Sequence, residues 1–191
     1  MTDRTEKNKE AIVDWAGDIV ALVGHIEEAL DHQLKLESNS SAVTGLIRDL
    51  HDTVRDDKKR AVAFQESIGS TAGNPVIKTG SELLGKAAGL IDRMRNDSAA
   101  KALRDDYTAL NHLAISYSML HTTSMALKHD EARSFSEQGL RTIATLVQKI
   151  NDVMPEAVFQ DLVDNDDVDV MDATVVAECR AEINRIWKET S

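Results

Sequence analysis

The stretch from Leu103 to Lys128, LRDDYTALNHLAISYSMLHTTSMALK, limits what this chain can fold into more than any other. It holds no proline and no glycine, so nothing in it interrupts a helix. Leu103, Tyr107, Leu110, Ala114 and Tyr117 recur at helical spacing. Between Leu113 and Leu120 apolar residues fall on more than one side of that helix. A helix with one face in water is polar over half its surface, so this one is expected to have neighbours on several sides. Asn111, His112, Ser116, Ser118, His121 and both tyrosines are set into it, and such groups need partners wherever they are buried.

The remaining chain supplies those neighbours. Ile12, Trp15, Ile19, Val23, Ile26, Leu30 and Leu34 form one stripe and predict a first helix over 7–37. A polar break follows, with Ser38, Asn39 and Ser40 as cap residues. A second helix over 42–68 carries Val43, Ile47, Leu50, Val54, Ala61, Phe64 and Ile68. Asp57 stands at the one place in that series where an apolar residue is missing. With many charged neighbours, it reads as a partly exposed carboxylate paired with Arg or Lys, with an inward-facing carboxylate that has a function as the alternative.

Gly69–Thr79 is a break, and a shorter glycine-containing helix over 80–95 follows it. Asp97 or Ser98 caps the central helix, expected over 98–128. The chain then turns at His129 and Asp130. Ser136, Leu140, Ile143, Val147, Ile150 and Met154 predict a helix over 131–154, which Pro155 ends or kinks. Glu156–Leu162 adds at most a short turn. The acidic run Asp164–Asp169 resembles a calcium loop superficially, but it lacks the glycine, and Val175 stands where the closing glutamate belongs. It reads as a solvated linker. A last helix over 173–188 aligns Ala173, Val176, Arg180, Ile183 and Trp187.

Four long helices with a segment of about thirty residues between the second and the third predict an all-α, ferritin-like four-helix bundle. The crossover carries a short helix, and an extra helix ends the chain. The whole is one domain, with its core over 7–154 and the acidic linker and terminal helix over 156–191. Ile183 and Trp187 have no place in a filled four-helix core, so they are the candidate interface of a homodimer, with an outer bundle face as the alternative.

Charge and composition narrow the function. A net charge of -11 argues against nucleic-acid partners and against anionic membranes. No stretch is long and apolar enough to span a bilayer. The single cysteine, Cys179, excludes an intrachain disulfide and points to a reducing compartment, and the opening MTDRTEKNKE has no apolar signal core. These features predict a cytoplasmic chain. There is no glycine-rich phosphate loop and no nucleophile elbow. Cys179 has Glu178 beside it and Glu182 one turn on, which disfavours a thiolate.

A di-iron bundle needs Glu-x-x-His on two helices and a Glu on each of the others. No helix here has Glu-x-x-His. His25, Glu28 and His32 share the side of the first helix away from its stripe and read as surface residues. The weak metal candidates are His51, Asp57 and His121. The plainer reading of His121 is a core-edge histidine with one ring nitrogen hydrogen-bonded. Tyr107, Asn111, Ala114, Tyr117 and His121 are candidates to line a small-molecule pocket between helices, with Tyr107, Asn111, Ala114, Ser118 and His121 taken as an inward row.

The run Asn111, His112, Ala114 and Tyr117 resembles the third bundle helix of the stress-associated ferritin-like proteins of bacteria. There the pattern is a glutamate followed by histidine, then a second glutamate and a tyrosine. Leu50, His51 and Thr53 resemble a segment of the family's second helix, and the resemblance spans about residues 12–154. It implies a small cytoplasmic bundle, a dinuclear metal centre, pairing into dimers and a stress-related role. Here the two acids are Asn111, an amide, and Ala114, a methyl group. That departure predicts a non-catalytic member with no cofactor and no central metal, acting as a structural or interaction protein towards an unnamed protein partner. A di-iron or mononuclear oxidoreductase and a small-molecule binder are the alternatives.

Overall fold

The computed structural model describes residues 2–36, 38–69, 98–164 and 172–189. Within them lie five helices: α1 (Thr2–Gln33), α2 (Ser41–Ser67), α3 (Ala99–Leu127), α4 (Asp130–Val163) and α5 (Val175–Glu189). The break beyond Gly69, the short helix expected over 80–95 and the acidic run beyond Asp164 lie outside the described residues.

The caps follow side-chain chemistry. Ser40 and Ser98 each accept, through Oγ, the backbone N–H three residues on, which satisfies a donor the helix start cannot pair internally. His129 does the same for α4 through Nδ1, which accepts from Ala132 N at 3.2 Å. Lys128 makes the sharp turn between α3 and α4 by adopting φ 57°.

Contacts between residues far apart in sequence fix the arrangement. Gln33 at the end of α1 meets Asp106 near the start of α3. Ser40 before α2 meets Glu156 late in α4, and Ser67 at the end of α2 meets Glu131 at the start of α4. So α1 runs antiparallel to α3, and α2 antiparallel to α4. The α1–α2, α1–α3, α2–α4 and α3–α4 pairs form the four sides, and α2 and α3 are diagonal and parallel. Residue 69 therefore lies at the opposite end of the bundle from residue 98, and the chain between them must cross its full length. This is the ferritin-like topology with a crossover, closed by an extra C-terminal helix on α4.

The core is one continuous cluster of mostly aliphatic side chains, with Phe64, Tyr117 and Phe135 among them, drawn from α1, α2, α3 and α4 and reaching Ala157 in α4. Two sequence expectations are corrected here. Pro155 does not end its helix: α4 continues to Val163. Proline leaves the Asn151 carbonyl without its helical donor, a cost of about 3 kcal/mol in an open helix. Packing beyond the proline offsets it: Ala157 is fully buried, and Glu156 accepts from Ser40 and pairs with Arg180 of α5. Arg180 Nε also donates to the Asp152 carbonyl at 2.7 Å, in the turn that the proline opens.

The second correction concerns the phase of α3. Its buried row is Leu103, Asp106, Leu110, Leu113, Tyr117, Leu120 and Ser124. Tyr107, Asn111, Ala114, Ser118 and His121 sit one residue around the helix, half-buried on its flank.

Candidate functional site: a buried polar network

The middle of the bundle holds a charged group. Asp57 is 4% exposed, held inward by the apolar register of α2 on both sides of it. It is therefore buried as well as paired, contrary to the partly exposed position expected. Arg60, one turn on in α2, places Nη2 on Asp57 Oδ1 in an ion pair. From the diagonal helix α3, Tyr117 donates its hydroxyl to Asp57 Oδ2 at 2.7 Å. Arg60 Nη2 also donates to the Tyr117 hydroxyl at 3.2 Å, and Nη1 to the Phe135 carbonyl of α4 at 2.8 Å. Three helices thus meet in one closed set of hydrogen bonds.

An aromatic wall encloses that set. The Arg60 guanidinium lies 4.5 Å from the centre of the Phe135 ring, which stacks on Phe64 at 4.1 Å and leans on Tyr117 at 5.6 Å. Such stacking shields one side of the set from water and adds a cation–π attraction. Burial, with the Asp57 charge, pushes the Tyr117 phenol far above its usual range, so it remains a donor. Tyr117 fits only because Gly139 of α4 has no side chain: a Cβ there would fall 2.3 Å from the ring.

A second buried pair lies at the end of the bundle where α1 finishes. Asp106 is 1% exposed, and its Oδ1 accepts from Gln33 Nε2 at 2.8 Å. Burial pushes the Asp106 carboxyl up to about 7, with the Gln33 hydrogen bond opposing and the Asp105 charge adding. Asp106 Oδ2 and Gln33 Oε1 have no partner. Protonation turns Asp106 Oδ2 from an acceptor into a donor, the kind of group an unpaired amide oxygen such as Gln33 Oε1 requires. Sequence reading missed Asp106 and Gln33 altogether, and Gly139 as well.

The three weak metal candidates go to separate partners. His51 Nε2 lies 2.8 Å from Asp31 Oδ1 and its Nδ1 lies 3.3 Å from Asp52 Oδ1, on opposite edges of the ring. Asp57 belongs to the network above. His121 Nδ1 lies 3.1 Å from Ser136 Oγ. Among the described residues, no three His, Cys, Asp or Glu side chains converge as metal ligands. His25 is half-buried, while Glu28 and His32 are exposed. Of the candidate pocket residues, Tyr117 is fully buried and the other four are half-buried; Asn111 Nδ2 donates back to the Tyr107 carbonyl at 2.7 Å.

On α5, Ile183 is half-buried and Trp187 is 52% exposed. Trp187 edges a groove of about 510 Å³ between α4 and α5, lined also by Gln148, Asn151, Asp152, Asn184 and Lys188. No helix among the described residues is long and apolar enough to cross a membrane. No protein-family model matches this chain, and neither does any curated protein or solved structure compared with it.

Proposed function

We propose that this chain is a non-catalytic helical bundle, a divergent relative of the stress-associated bacterial ferritin-like proteins, that acts in the cytoplasm as a homodimeric structural or interaction protein. The observation that carries this reading is the pairing of Asp57 with Arg60 and Tyr117. A dinuclear centre needs several carboxylates left open to two dications. In this bundle the central carboxylate is already answered by a guanidinium of its own chain, and both of its oxygens are occupied. Acid, base and nucleophile roles need a group free to exchange a proton or attack. Asp57, Arg60 and Tyr117 are each committed to the others.

Elemental analysis tests the reading. Protein purified without a metal-carrying affinity tag is expected to hold no stoichiometric iron, manganese or zinc. About one metal ion or more per chain, lost on Asp57→Asn, would overturn it and establish a metal-binding bundle.

A further inference from the structure

From Tyr107 through Leu127, α3 contains no Asp, Glu, Lys or Arg, in a chain of net charge -11. Part of that uncharged surface faces outward. Thr108, His112, Ile115, Met119, Thr122 and Ala126 are all exposed and follow one another at alternating steps of four and three. Ile115 is 59% exposed, Met119 is exposed one turn on, and Met125 is exposed near the end of α3. This outer row explains why the sequence reads as apolar on more than one side. The bundle buries the opposite row, and among the described residues no other helix covers this one. Alternating four–three spacing is the seam by which two helices pack at a small crossing angle.

We infer that this row is the homodimer contact, with α3 packed antiparallel against α3 of a second copy about a two-fold axis beside residue 117. This rests on the homodimer reading above and names its surface. Three observations favour a second copy over other occupants. First, two chains each carrying -11 repel, so they associate best where neither presents charge, and this row is uncharged from end to end. Acidic Asp18 of α1 lies close enough to His112 to interact with it, so the charged surface begins at the margin of the row.

Second, the order of residues is self-complementary, as a two-fold interface requires. Turned about residue 117, Ile115 of one copy meets Met119 of the other, His112 meets Thr122, and Thr108 meets Ala126. Apolar meets apolar at the centre, and the imidazole meets a hydroxyl. Third, the row is about 27 Å long at 1.5 Å per residue. At the ~10 Å width of a helix it supplies an uncharged centre for an interface, whose stable size is roughly 800 Å² per partner.

Sedimentation velocity of the full chain over about a hundredfold dilution tests this, alongside Ile115→Glu and Met119→Glu. The expected result is a dimer whose dissociation constant rises at least about 30-fold in either variant, because a carboxylate is then buried against its own copy. Circular dichroism and melting temperature at low concentration should not change, since both side chains are exposed in the monomer. In a Cys179→Ser background, an equal mixture of Ile115→Cys and Met119→Cys chains should form a mixed disulfide on mild oxidation. A dimer indifferent to both glutamates overturns the α3 contact and leaves homodimerisation through another surface, α5 foremost. A monomer at every concentration overturns both. So does a monomer that Ile115→Glu destabilises, because the row is then covered by the chain itself.

Discussion

Asp106 is the side chain whose burial has the most direct experimental consequence. Burial pushes its carboxyl up to about 7 in the folded state, from the ordinary aspartate value of 3.8 that holds in the unfolded chain. The folded pKa is the higher one, so between those values the folded state holds a proton that the unfolded state has released. The contribution of Asp106 to stability is therefore fully present below about pH 4, falls as pH rises through that window by roughly 1.4 kcal/mol per unit at most, and levels off above about pH 7. Asp106→Asn removes the titration and keeps a donor for Gln33 Oε1. It should match the native protein at pH 4 and exceed it in urea unfolding by about 2 kcal/mol or more at pH 8. Equal stability at pH 8 would mean that Asp106 is hydrated when folded. In the sequence, Asp105 and Asp106 read alike. Only the fold leaves Asp105 half-buried beside Arg104 and places Asp106 fully inside beside Gln33.

At the scale of helices, periodicity marked where elements lie but not which side of α3 faces the core. Tyr107, Asn111, Ala114, Ser118 and His121 form a helical row, and so do Leu103, Asp106, Leu110, Leu113, Tyr117 and Leu120. The two rows differ by one residue, about 100°, and both mix apolar with polar groups. A helix apolar on two sides gives no contrast to choose by, whereas α2, with one clean stripe, was placed in the correct phase. Gly139 was the missing signal. A glycine mid-helix, with no turn near it, marks a close approach, and what approaches is Tyr117. Gly139→Ala should gain the ~1 kcal/mol that alanine brings to an open helix. A Cβ 2.3 Å from the Tyr117 ring reverses that sign. The variant should lose about 2 kcal/mol or more in urea unfolding, and combining it with Tyr117→Ala should cost less than the sum of the two. A stabilised Gly139→Ala would show that α3 and α4 are not in contact at this level.

For the whole molecule, the bundle topology was legible because it depends on lengths: four long helices, and a connection between the second and third too long for a hairpin. The gap in the α2 stripe at Asp57 was visible too. Its meaning was not, because the partners that permit its burial include a tyrosine on the diagonal helix. That network lies in the middle of the bundle. It holds three helices together as a structural device, satisfied by its own members. Measured unfolding free energies of Asp57→Asn, Arg60→Met and the triple change Asp57→Leu, Arg60→Met, Tyr117→Phe test this most directly. Arg60→Met strands the buried Asp57 carboxylate and should cost about 2–4 kcal/mol, while Asp57→Asn strands a partly exposed guanidinium and should cost about 1–2 kcal/mol. The triple change removes every polar member at once and should return to within about 1 kcal/mol of the native protein. Single variants within about 0.5 kcal/mol of native, or a triple variant weaker than either single one, would contradict a self-satisfied structural network at the bundle centre.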